Sequence, residues 1–323
     1  MATSTFSPSS STTRSRRALM RAAAGGAAAL GLARLAPSAL AQATPPASPV
    51  TAGFAHDGIL IPTNAVPSEG ARIAVMEPDA FNAGHIPNSR AFTEGQLAIT
   101  DTSAPALETW RTAMLETMTG AGVRLGQPTL AYDDGTMFGA RLWWVLTYLG
   151  FDMPVVLDGG LDAWRAAGGE IERAMRVTVS PQPVVAGVPA TPAAPAPRPK
   201  LLATKDEVLA SLGDPGIVLL DTRPASDYEA GHIPGAINLD YTENGTGGTP
   251  NVWKSPEALK TLYAGIGATG DKRIVPYCHS GTKSAVTFFT LWLLGYPDIA
   301  LYTGSWEEWS ADPSDPVTTG SQP

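Results

Sequence analysis

From about residue 56 onward, short apolar runs of strand length alternate with longer segments that repeat their apolar residues at helical spacing. Ile217 to Leu220 follows the turn Gly213-Asp214-Pro215-Gly216, and Arg273 to Tyr277 forms a second such run; both are predicted as buried strands. Ser255 ahead of Pro256 and Glu257 predicts an N-cap with proline at the first helical position, followed by Leu259, Leu262 and Tyr263. Ala285 to Leu294, closed by Gly295, predicts another helix, and Leu142 to Leu149, closed by Gly150, is its counterpart. Strands that are apolar throughout and joined by helices are buried on both faces. The expected fold class is therefore α/β, with mainly parallel sheets flanked by helices. In such sheets, ligands sit beyond the carboxyl ends of the strands, beside helix N-termini.

The alternation occurs twice. Ala83-Gly84-His85-Ile86-Pro87 recurs 147 residues later as Ala230-Gly231-His232-Ile233-Pro234. Tyr132, Ala140, Leu146, Leu149, Gly150, Gly159 and Trp164 recur at a constant offset of 145 as Tyr277, Ala285, Leu291, Leu294, Gly295, Gly304 and Trp309. Two copies are expected, at 56–178 and 201–312. Between them, 179–200 is rich in Pro and Ala with almost no charge, the composition of an extended linker. A polar tail, 313–323, follows the second copy.

The N-terminus breaks this pattern. Arg16-Arg17 precedes a weakly apolar Ala/Gly/Leu stretch from Ala22 to Leu40, and Ala41-Gln42-Ala43 is the small-x-small pattern of a cleavage site. Residues 1–43 thus resemble a twin-arginine export signal, and the expected location is the periplasm. The stretch is too diluted by Gly, Ala and Arg34 for a spanning helix, so no stable membrane insertion is expected after its removal. Of 323 residues, 22 are basic and 30 acidic, and five of the arginines lie in the signal; the remainder carries 17 basic against 30 acidic groups. That balance argues against a nucleic-acid partner. One cysteine excludes an internal disulfide or a Cys-rich metal site, and four histidines without ligand spacing leave no expected metal or cofactor.

The single cysteine lies where the fold places chemistry. Cys278-His279-Ser280-Gly281-Thr282-Lys283 leads from the strand ending at Tyr277 into a helix expected to begin near Ser284. The positive end of that helix, the N–H groups of a tight Gly-containing loop and the Lys283 ammonium all favour a thiolate, the nucleophilic form. His85 and His232 occupy the same place in both copies, including the one without cysteine, and are expected to shape a turn. Trp143-Trp144 and Phe288-Phe289 are expected in the core.

Asp221-Thr222-Arg223, Gly231-His232-Ile233-Pro234-Gly235-Ala236 and Tyr277-Cys278-x-x-Gly281-x-Lys283 together resemble the rhodanese (sulfurtransferase) family, in its tandem form. The resemblance implies an inactive first copy, with Asp133 opposite Cys278, and a catalytic second copy. It implies that Cys278 takes a sulfane sulfur from a small anionic donor such as thiosulfate as a persulfide, then passes it to cyanide or a thiol acceptor. By the same resemblance Arg223 is expected to clamp the donor, with Asp221 or Asp227 as an alternative ion-pair partner. His279, Ser280, Gly281, Thr282, Lys283 and Ser284 are expected to bind substrate or cradle the persulfide. A 3-mercaptopyruvate sulfurtransferase and a non-enzymatic sulfur carrier or binding module remain alternatives. A phosphatase of related fold needs Cys-x5-Arg, and here the sixth residue after Cys278 is Ser284.

Overall fold

The computed structural model describes residues 53–173 and 195–323. The expected signal at 1–43, the end of the first copy and the linker up to residue 194 lie outside the described residues.

In the first copy, β1 (Leu60–Ile61), β2 (Ala71–Val75), β3 (Arg90–Phe92), β4 (Thr129–Tyr132) and β5 (Pro154–Leu157) form a sheet of order β1-β5-β4-β2-β3, with every pair parallel. In the second, β6 (Ile217–Asp221), β7 (Ile237–Asn238) and β8 (Arg273–Tyr277) pair in the order β7-β6-β8, again parallel. Parallel bridges Ile274 to Ile299 and Leu202 to Leu301 continue that sheet past β8, so its order repeats the first. The crossovers are helical: α1 (Pro78–Ala83), α2 (Ala104–Gly120), α3 (Gly139–Leu149) and α4 (Gly160–Ala166) in the first copy. The second contains α5 (Lys205–Ala210), α6 (Ala225–Ala230), α7 (Pro256–Gly265), α8 (Thr282–Leu293) and α9 (Ser305–Ser310). The cap of α7 is as the sequence predicts: the Ser255 hydroxyl accepts the Ala258 N–H.

The helices α3 and α8 are apolar on nearly all sides, and such helices belong in the interior. All eleven residues of α3 are buried, as is nearly all of α8. They pack together and join the copies: the Trp143 ring meets Phe289 edge-on at 4.8 Å and Trp292 at 5.5 Å. A large aromatic in such a position stabilises by about 3–5 kcal/mol relative to alanine. Other contacts also cross between the copies. Trp253 N–H donates to Asp158, and both oxygens of Glu308 accept from Thr102.

The two histidines of the repeated turn are structural. His232 stacks on Tyr228 at 3.7 Å, with Nδ1 2.8 Å from the Tyr228 carbonyl, and His85 repeats this on Phe81. Each adjoins an antiparallel bridge, His85 to Glu172 and His232 to Thr318. The bridge at Thr318 ties the polar tail to the second copy. The Trp309 indole donates to the Pro316 carbonyl, and Gly320 N–H donates to Glu229. Residues 313–323 close the second copy as the strand-like segment at Glu172 closes the first.

Candidate active site

Cys278 leaves β8 and enters the loop that turns into α8. Its side chain is 1% exposed, and Sγ accepts the Gly281 N–H at 3.1 Å, with the Ser284 hydroxyl at 3.5 Å. The loop is held from behind by the start of α9: the Cys278 and His279 carbonyls accept N–H groups of Trp306 and Glu307 at 3.0 and 2.9 Å. Because C=O and N–H of a trans peptide point in opposite directions, the N–H groups of His279 and Ser280 are turned away from α9. Cys278 N–H donates to the Ser305 hydroxyl. Gly281 turns the chain at φ +87°, and a Cβ there would lie 2.6 Å from the Thr303 carbonyl, so only glycine fits. That turn starts α8 at Thr282, two residues earlier than expected. The sulfur therefore sits at a helix N-terminus with an N–H aimed at it, an arrangement that stabilises negative charge.

The other predicted loop residues surround this centre. His279 is exposed on the rim, Ser280 is half-buried, and Thr282 and Ser284 are buried. The Lys283 ammonium lies 5.7 Å from the centroid of the Tyr241 ring. Glu94, from the first copy, faces it: burial pushes the Glu94 carboxyl up while the Lys283 charge pulls it down.

Arg223, the expected donor clamp, is held by an internal ion pair. Its guanidinium is closed on Asp221 through Nε and Nη2, at 3.0, 3.1 and 2.6 Å, and Nη2 also donates to the Gly231 carbonyl at 2.7 Å. The side chain is 4% exposed, and the guanidinium carbon lies 4.6 Å from the centroid of the Trp306 ring. Nε and Nη2 thereby order the end of β6 and the Gly231-His232 turn, which is the alternative ion pair weighed from the sequence.

The equivalent loop of the first copy is occupied differently. Asp133 occupies the position of Cys278, and its carboxylate accepts N–H groups from Gly135, Met137 and Gly139 at 2.8, 3.0 and 2.9 Å. A fixed carboxylate thus fills the cradle. Burial pushes Asp133 up, and those three N–H groups pull it down. Nearby, burial pushes Asp158 up to about 7, and the Asp133 charge adds to this.

One site residue escapes the loop motif altogether. Arg141, on α3 of the first copy, is fully buried; Nη1 donates to the Gly281 carbonyl at 3.4 Å and Nη2 to the Leu97 carbonyl at 2.6 Å. Its signal in the sequence is a lone charge in the otherwise apolar run Gly139 to Leu149. Among the described residues, no group of three or more His, Cys, Asp or Glu is arranged to hold a metal ion, and no helix is long and apolar enough to cross a membrane.

A rhodanese-like domain model matches residues 70–167 and 204–312, one match per copy. The chain belongs to the rhodanese family. The Mycobacterium tuberculosis protein SseB is 37% identical over 225 residues, spanning 64% of this chain and 72% of its own length. The 3-mercaptopyruvate sulfurtransferase of Escherichia coli K12 is 30% identical, covering 72% of this chain and 83% of its own. The thiosulfate sulfurtransferase of Azotobacter vinelandii is also 30% identical, covering 73% and 86%. Among solved structures, the anaerobic ergothioneine biosynthesis enzyme from Chlorobium limicola superposes with a TM-score of 0.64 at 22% identity, over 81% of this chain and 70% of its own; this likeness concerns the fold. The rhodanese assignment makes this chain a sulfurtransferase-family protein, with relatives named for two different sulfur donors.

Proposed function

We propose that this rhodanese is a thiosulfate sulfurtransferase that carries sulfur on Cys278. In the first half-reaction the Cys278 thiolate attacks the outer sulfur of thiosulfate. An S–S bond forms at Cys278 as the donor's own S–S bond breaks, and sulfite leaves with the electron pair. In the second, cyanide or a thiolate attacks the outer sulfur of the persulfide, and the Cys278 thiolate is regenerated. No cofactor enters either step. The observation that carries the reading is the Gly281 N–H on Sγ at the head of α8, a cradle for both the thiolate and the persulfide anion. The half-exposed Lys283 gives the loop's rim a positive charge suited to an anionic donor, with the exposed His279 ring beside it. With Arg223 closed on Asp221, donor binding falls to this rim.

The first copy acts as a scaffold, because a carboxylate cannot carry a sulfane sulfur. We further propose export to the periplasm through the twin-arginine segment at Arg16-Arg17. The test of the donor is a side-by-side measurement of kcat/KM with thiosulfate and with 3-mercaptopyruvate. A higher value for thiosulfate is expected. A higher value for mercaptopyruvate reassigns the donor, and turnover of neither points to a non-enzymatic carrier.

A further inference from the structure

We infer that Arg141, on the first copy, is a positioning residue for Cys278 on the second: it tethers Gly281 and places a buried positive charge opposite the sulfur's anionic forms. The inference rests on Cys278 as the sulfur carrier. Arg141 is 0% exposed in a helix whose other ten residues are also buried and uncharged. An isolated buried charge is costly unless an opposite charge or a full set of hydrogen bonds meets it. The buried Arg223 follows that rule through Asp221. Arg141 has no such partner: among the described residues no carboxylate forms an ion pair with it, and Nε has no hydrogen-bond acceptor. Helix packing does not require the charge, because the equivalent residue in the second copy, at the offset of 145, is the buried Val286.

What faces the guanidinium is the catalytic loop. Nη1 reaches the Gly281 carbonyl, and the N–H of the same residue meets Sγ, so Arg141 holds from one side the residue that holds the sulfur on the other. Nη2 anchors the group to Leu97 in the first copy, and the Trp144 ring centroid lies 4.9 Å from the guanidinium carbon. Burial pulls Arg141 down to about 10, and the charge on Cys278 acts in the opposite direction. The remaining ionisable groups about the loop do not replace it. Tyr241 is pushed up by burial and by the charges of Asp240, Glu94, Asp133 and Cys278, and is therefore neutral. Lys283 stands on the half-exposed rim of the loop, not on the buried side that Arg141 occupies. The first copy thus supplies a buried charge where the second has Val286.

The test reads the pH profile of Cys278 alkylation by iodoacetamide in the full chain, which needs no sulfur donor and is independent of whether thiosulfate is the substrate. Arg141→Gln and Arg141→Met should move the midpoint up by about one pH unit, or about tenfold slower alkylation at a fixed pH below it. Arg141→Lys, which keeps the charge, should restore most of the shift. Folded neutral variants that alkylate with the wild-type midpoint overturn the inference. If both neutral variants fail to fold, Cys278→Ser decides. Relative to the wild type it should lose stability as pH rises through the alkylation midpoint, because Arg141 then faces no anion; a stability difference independent of pH overturns the inference.

Discussion

Replacing Asp158 by asparagine should stabilise this protein, and by an amount that depends on pH. The carboxyl is 2% exposed, accepts the Trp253 N–H at 3.0 Å and shares its surroundings with Asp133. Burial raises it from 3.8 to about 7, a displacement worth about 4 kcal/mol. Below about pH 4 the carboxyl is protonated in both the native and the unfolded chain and costs nothing. Between about pH 4 and pH 7 the unfolded chain has released the proton while the native state keeps it, so stability falls as pH rises. Above about pH 7 the full penalty applies. Asparagine keeps an oxygen for the Trp253 N–H and never ionises. Asp158→Asn should therefore match the wild type at pH 4 and exceed it by about 4 kcal/mol at pH 8. Urea unfolding followed by tryptophan fluorescence would show this as a midpoint more than about 1 M higher at pH 8. An asparagine variant that is no more stable at pH 8, or equally more stable at both pH values, refutes the reasoning.

The remaining predictions concern charge and export. Arg223→Ala should leave Asp221 buried and unpaired, at a cost of about 3–5 kcal/mol measured by denaturation, with little change in the KM of molecules that fold; a stable variant with a raised KM would return Arg223 to the donor. Lys283→Ala should raise the KM for thiosulfate, since the rim loses its charge, and an unchanged KM would remove Lys283 from donor binding. Mass spectrometry of the protein from its native host should find an N-terminus at or near Thr44, and Arg16→Lys with Arg17→Lys should retain the precursor in the cytoplasm; normal export of the double variant would exclude the twin-arginine route.

What the sequence reveals of this molecule is what neighbouring residues decide. The strand Arg273–Tyr277 and the α7 cap at Ser255 follow from local apolar runs and capping chemistry, and the structure reproduces both. The Cys278 loop was legible because strand, glycine and helix succeed one another along the chain. The missed features are those made between distant segments. Arg141 meets Gly281 across 140 residues, and the sequence-based helix begins at Leu142, one residue after it. Arg223 is the converse case: a motif flags the residue, but Asp221 two positions away competes for its donors more directly than an anion in solution. The tail at 313–323 has the polarity of a free end, yet Thr318 and Gln322 present backbone carbonyls to His232, and that pairing leaves no trace in side-chain character.

The central claim is that the sulfur atom travels on Cys278, the only thiol in the chain. Intact-mass measurement after incubation with thiosulfate tests it directly, since a persulfide adds one sulfur, about 32 Da. The predicted result is that adduct on the wild type, its removal by cyanide with formation of thiocyanate, and its absence from Cys278→Ser. An adduct that persists in Cys278→Ser, or a wild-type protein that turns over thiosulfate without acquiring the adduct, would contradict the account.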